Sequence, residues 1–116
     1  MNHATLMQHG LARPGTSCRY PFDPEMPVLF VGSRMFALLG THGGRPSVNL
    51  KGDPETNPLS RQSYPGTVLP GYHMNKKHWN TVLLDGTLSD QEILDMLEES
   101  YLLVCRNLPK SERPAL

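Results

Sequence analysis

Eleven prolines and ten glycines among 116 residues leave little room for long helices. Proline fixes φ and removes a backbone donor, while glycine supplies the conformations that turns need. A chain punctuated this often folds from short elements and many tight connections rather than as a bundle of long helices. The length suits one domain with a single core, spanning 1–116 with the core over about 4–108 and a frayed tail at 109–116. A composition of 38% hydrophobic and 19% charged residues is that of a folded globular chain, not a disordered one.

Between the breakers, the residue pattern sets the elements. Leu6, Met7 and Leu11 make Ala4 to Arg13 a short amphipathic helix, interrupted by Gly10 and stopped by Pro14-Gly15. Thr16 to Pro27, with Pro21, Pro24 and Pro27, reads as irregular. Val28 to Val31 is β-branched and aromatic, so a strand; Gly32-Ser33 is a tight turn, and Met35 to Leu39 returns as its partner. Gly40 to Gly44 reads as the next turn and Ser47 to Lys51 as a third strand with one wet face, completing an antiparallel meander. Asp53-Pro54-Glu55 has the form of a helix start, Pro58 then keeps that helix short, and Tyr64-Pro65-Gly66 ends it. Thr67 to Tyr72 is a loop or brief edge strand, and Trp79 to Leu84 is a further strand closed by Asp85-Gly86.

Ser89-Asp90-Gln91-Glu92 is a capping box. Ile93, Leu97, Tyr101, Val104 and Leu108 continue from it as one apolar stripe on a helix to about Asn107. The order gives an α+β fold: one twisted antiparallel sheet with helices packed on one face.

The formal net charge is zero but unevenly spread. Met1 to His78 holds eight Lys/Arg against four Asp/Glu, and Trp79 to Leu116 three against seven. Such asymmetry permits a basic face on a neutral molecule. No apolar run approaches the roughly 20 residues that cross a bilayer, and the start of the chain lacks a signal-peptide pattern. Cys18 and Cys105 read as two reduced thiols, which suits a cytoplasmic protein.

Four segments carry a family likeness: Tyr20-Pro21-Phe22, Met35 to Leu39, Asn49 to Pro54, and Pro70 to Thr81. From about Leu6 to Arg106 the chain resembles the MmcQ/YjbR-like family. The resemblance implies a CyaY-like (frataxin-like) fold, a small cytoplasmic bacterial protein, and DNA binding in which hairpin wings meet the duplex.

The residues that would carry such binding are Arg34 and Arg45 at the hairpin tips, Lys51, Lys76, Lys77 and His78 on phosphates, and Tyr72 and Trp79 stacking on bases. Arg61 could extend the patch. The alternative for Trp79 is a core anchor on its strand, and for the lysine pair a solvated loop. A second function, on the same face, is a binding module for a small anion, a metabolite or a protein partner. There Asn49, Lys51, Asp53, Tyr72, Asn75, His78 and Asn80 would line a polar pocket if the third strand lies beside the Trp79 strand. A third is iron binding through Asp90, Asp95 and Glu99, although helix-dipole capping explains the same charges. His73 and His78 match no standard metal-ligand spacing. No nucleophile–base–orienter set and no phosphate loop stand out, so neither an enzyme nor a bound cofactor is expected. A monomer is the expected state.

Overall fold

The computed structural model describes residues 1–115. The elements run α1 (His3–Leu11), β1 (Thr16–Arg19), β2 (Val28–Val31), β3 (Arg34–His42), β4 (Arg45–Lys51), α2 (Asn57–Ser63), β5 (Val68–Pro70), β6 (Trp79–Leu83) and α3 (Asp90–Arg106), followed by a 3-10 turn at Lys110–Glu112. The six strands form one antiparallel sheet in the order β1-β2-β3-β4-β6-β5. The expected α+β architecture is therefore present: a single antiparallel sheet, with α1 and α3 side by side on one face.

That face holds the main core. Leu29, Phe36, Leu39, Val48, Leu50 and Val82 from the strands meet Leu6 of α1 and Ile93, Leu97, Tyr101 and Val104 of α3. Phe36 and Tyr101 meet edge to face at 5.4 Å, a favoured geometry for two buried rings. Gly10, an interruption when read from sequence, sits where any side chain would strike the sheet: a Cβ there would lie 2.5 Å from a methyl carbon of Leu29. It lets α1 lie close on the strands. The capping box at Ser89 and Glu92 forms as the residue types require.

The opposite face is not bare. Val28, Phe30 and Leu38 make a smaller apolar cluster there, covered in part by Met26, Met35, Met74 and Trp79. Two connections supply Met26 and Met74 to that cover: residues 20–27 between β1 and β2, and residues 71–78 between β5 and β6.

Several sequence expectations are corrected. Thr16–Arg19, read as irregular, is edge strand β1, paired with β2 from Thr16↔Val31 to Arg19↔Val28. β3 and β4 run on to a turn at Gly43-Gly44, so β3 has nine residues where five were expected. Gly40 lies inside β3, where Met26 covers it: a Cβ there would be 3.1 Å from the Met26 sulfur. Helix α2 starts at Asn57 rather than at Asp53, with Pro58 in its first turn, where the missing N–H costs nothing. Asp53 instead closes a turn, its carboxylate accepting from the Glu55 N–H at 2.8 Å. The tail is docked rather than frayed. Glu112 accepts a hydrogen bond from the Ser33 N–H at 2.8 Å, and Arg113 donates to the carbonyls of Leu108 and Arg106; Leu116 lies outside the described residues.

Candidate functional site

The site is built where β3 and β4 part. A bulge between Leu29 and Phe30 shifts the β2–β3 register, and Phe36 faces the helices together with its neighbour Ala37. Pairing of β3 with β4 ends at Ala37↔Leu50. Beyond it the Phe36 carbonyl and the Lys51 N–H no longer meet. The hydroxyl of Ser100, fully buried on α3, fills the gap: it accepts from the Lys51 N–H at 2.9 Å and donates to the Phe36 carbonyl at 2.6 Å. Nothing local in the sequence marks Ser100 for this role, because both its partners come from distant strands.

The parted strands open a cleft of about 460 Å³, walled by Arg34 and Met35 on one side and Lys51 and Trp79 on the other, with Phe22 and Phe30 at the sheet face and Asn107 at the end of α3. Lys51 stands opposite Trp79 in the β4–β6 register. Partial burial, and then the Arg34 guanidinium, hold the Lys51 ammonium below its ordinary pKa. Among the described residues no carboxylate lies within 4 Å of Arg34 or Lys51. Glu112, which feels the Arg34 charge, is engaged by the Ser33 N–H. Two cations are thus held close together without an ion-pair partner among the described residues.

The loop at 71–78 is pinned to the sheet. Gly71 donates its N–H to the Trp79 carbonyl at 2.8 Å, an approach that a side chain would block, since a Cβ would sit 2.7 Å from that of Trp79. Tyr72 donates its N–H to the Thr81 hydroxyl, which itself donates to Asn49 at 2.7 Å. Asn75 accepts from the Lys77 N–H with its side chain, and its carbonyl accepts from Trp79 N–H. Arg61 of α2 is not part of an open cationic patch. It donates to the Asn80 side chain at 2.7 Å, to the Trp79 carbonyl at 3.1 Å and to the Lys76 carbonyl. Asn80, 7% exposed, donates onward to Asn57, which donates to the Lys77 carbonyl. These partners close the loop from behind.

The predicted binding residues fall in four places. Arg34, Lys51 and Trp79 line the cleft together. Lys76, Lys77 and His78 follow at the same end of the sheet, because the His78 carbonyl accepts from the Gly52 N–H and the Lys77 carbonyl from Asn57; both lysines are exposed and His78 is half-buried. Tyr72 sits apart, over the sheet face, in a row of rings with His42 at 5.1 Å and His73 at 4.0 Å. Arg45 does not join them. It pairs with His42 at the far end of β3 from Arg34, roughly 26 Å away along the strand at ~3.3 Å per residue. The two hairpin-tip arginines occupy opposite ends of the sheet.

β4 and β6 do lie side by side, the condition for the polar pocket read from sequence, but its residues divide between faces. Asn49 and Lys51 share a face with Trp79 and Thr81, whereas Asn80 turns to α2. Phe22, 63% exposed and common to the Arg34 cleft and a second cavity beside Tyr72, was overlooked as a site residue. Its signal was an aromatic side chain placed between Pro21 and Pro24 in a non-regular segment.

The two ends also differ in charge. Around the cleft stand Arg34, Lys51, Arg61, Lys76, Lys77, Arg106, Lys110 and Arg113 against Asp53, Glu55, Glu99 and Glu112. At the other end Asp85, Asp90, Glu92 and Asp95 face Arg45 and the Met1 amine. The iron-binding expectation finds no assembled ligand set: Asp90 pairs with the Met1 amine at 3.0 Å, Gln91 donates to Asp95, and among the described residues no three His, Cys, Asp or Glu gather around one point. No helix among them is long and apolar enough to cross a membrane.

Comparison with known proteins is consistent along nearly the whole chain. Residues 11–103 match the family model described as YjbR. The uncharacterized protein YjbR of Escherichia coli K12 is 35% identical over 116 residues, covering 100% of this chain and 98% of that one. The uncharacterized protein YbdF of Escherichia coli O157:H7 is 37% identical over 111 residues, covering 96% and 90%. Among solved structures, Deinococcus radiodurans protein DR2400, a DUF419 domain, superposes with a TM-score of 0.88 at 38% identity, covering 97% of this chain and 85% of that one. A Pseudomonas syringae protein superposes with a TM-score of 0.74 at 31% identity, covering 89% and 98%.

Proposed function

The chain belongs to the YjbR family, and from that premise we propose that it is a non-catalytic module that binds nucleic-acid phosphates at the Arg34 end of its sheet. The observation that carries the reading is the pair Arg34 and Lys51. Two cations face one cleft from opposite walls with no carboxylate of the described residues in ion-pair reach, and the half-buried indole of Trp79 lies beside Lys51. Holding like charges together is unfavourable unless an anion compensates them. A phosphate between them, with a base or sugar against Trp79, satisfies both features. Lys76 and Lys77 extend the contact along a strand of nucleic acid; Arg45 is left out of the contact set, and Tyr72 is left to the sheet face. The frataxin-like arrangement belongs to the same reading, supported by two helices side by side on one face of an antiparallel sheet. So does a cytoplasmic location, which the free thiols of Cys18 and Cys105 support.

Fluorescence anisotropy of labelled duplex and single-stranded oligonucleotides tests it. Binding is expected in the micromolar range at about 20 mM salt and should weaken a hundredfold or more by about 200 mM if three or four phosphates are contacted. The double variant Arg34→Ala/Lys51→Ala should lose binding and Arg45→Ala should keep it. Absence of binding at the lower salt, or equal loss in Arg45→Ala, defeats the proposal.

A second reading is favoured by the dimensions of the cleft. Its volume of about 460 Å³ lies within the range of small-ligand sites, ~300–1,000 Å³. A small phosphorylated molecule would use the same two cations. Thermal stabilisation by a mononucleotide, with no affinity for oligonucleotides, would select it.

A further inference from the structure

We propose that the second cavity on the open sheet face is a binding site for an uncharged, planar heteroaromatic molecule, distinct from the cationic cleft. The cavity has a volume of about 290 Å³ and lies between the two covering loops. Leu38 and the thioethers of Met26 and Met74 form its apolar lining, and Phe22, Tyr72 and His73 supply ring surfaces. None of the residues lining it is Lys, Arg, Asp or Glu. A charged ligand would lose its hydration there without gaining a partner, so the lining selects for neutral molecules. Thioether sulfur and ring faces favour an aromatic system over an aliphatic one of equal size.

One polar group marks where such a ligand would be oriented. Ser47 lines this cavity and is 3% exposed. Its carbonyl is used by the His3 ring at 2.9 Å, but its hydroxyl has no hydrogen-bond partner among the described residues. The hydroxyl is not sealed off, since among the described residues the enclosed side-chain polar atom without a partner is the Arg13 Nε; the Ser47 hydroxyl faces the cavity, within reach of a ligand. A ring nitrogen or carbonyl on the ligand would accept its proton. The neighbouring Thr81 and Asn49 cannot substitute so readily, because they already bond to each other and to Tyr72. The surround is formed in advance: Tyr72 is held by Thr81 and Asn49, and Met26 rests on Gly40. This cavity and the cationic cleft share Phe22 alone among the described residues that line them, so neither site depends on the other.

Nuclear magnetic resonance titration of the full chain with indole, adenine and quinazolin-4-one at neutral pH tests it, with benzoate as the charged control. At least one of the three heteroaromatics should saturate, moving the methyl signals of Met26 and Met74 and the amide of Ser47, while benzoate leaves them in place. Ser47→Ala removes only the unpartnered hydroxyl, so the fold should be kept; affinity for adenine or quinazolin-4-one should fall at least ~5-fold, the loss of one neutral hydrogen bond. No saturation by any of the three, shifts confined to Arg34, Lys51 and Trp79, or unchanged affinity in Ser47→Ala would overturn the assignment. Failure of oligonucleotide binding would not bear on it.

Discussion

Ser100→Ala isolates the contact that holds the cleft open. The hydroxyl is fully buried and joins the Lys51 N–H to the Phe36 carbonyl where two strands have separated. Without it, a donor and an acceptor are left facing a gap one oxygen atom wide. Each unsatisfied buried group costs about 1–3 kcal/mol. Alanine returns no more than about 0.5 kcal/mol through its better helix propensity. Lys51 is half-buried, so water can reach part of the gap, and the lower end of the range applies. The expected loss is about 2 kcal/mol, which lowers the unfolding temperature by roughly 8 °C for a chain of this length at ~2.1 cal/mol/K per residue. Urea unfolding with an unchanged m-value should give the same figure. Amide exchange supplies the local readout: the Lys51 N–H should lose protection beyond the global change. A loss under about 0.5 kcal/mol with Lys51 still protected would mean that the strands are not joined through this hydroxyl.

Other expectations follow from the loop and the titrating groups. Arg61→Ala leaves the Asn80 carboxamide oxygen buried and unpaired and releases the Lys76 and Trp79 carbonyls; a loss of about 2 kcal/mol is expected, with faster amide exchange from Lys76 to Trp79. Gly71→Ala forces a methyl against Trp79 and should cost about 2 kcal/mol or more, visible as a shift in Trp79 fluorescence and a lower unfolding midpoint. Hydrogen bonds hold Glu92, Asp85 and Glu112 below the ordinary carboxylate pKa, through Ser89, Thr87 and Ser33 respectively. Their stabilisation is complete above the unfolded carboxylate range and is lost as pH falls through the lower folded values. The Glu112→Gln variant should therefore show a shallower acid slope in urea midpoints measured from neutral pH downward. At the other extreme, burial and then the Cys105 thiol push the Tyr101 phenol up to about 12. Stability should decline as pH rises through that value, and Tyr101→Phe should remove that part of the decline.

What could be read from the chain was what depends on near neighbours. The α3 cap and stripe, the β2 run and the Trp79 strand each have a local cause, so they were legible. β1 was not, because Thr-Ser-Cys-Arg has little apolar character and is a strand only through its ladder with β2. β3 was legible only in part. Reading Gly40 as the start of a turn shortens the strand, and Met26, from a loop fourteen positions earlier, is what makes glycine suitable at that point; Arg34 and Arg45, at successive turns of a meander, fall at opposite ends of β3 whatever its length. Arg61 looked like one more surface cation. Its guanidinium is consumed by partners fifteen to nineteen residues away, a fact no local window contains.

The separation of charge between the two ends of the sheet has an electrical consequence. With as many positive as negative groups, the molecule should barely drift in a uniform field at neutral pH, yet the field would exert a torque on it. The side-chain charges also oppose the peptide dipole of α3, whose amino end lies among the carboxylates and whose carboxyl end lies among the cations. Dilute samples should adhere to both anion- and cation-exchange matrices, presenting a different pole to each.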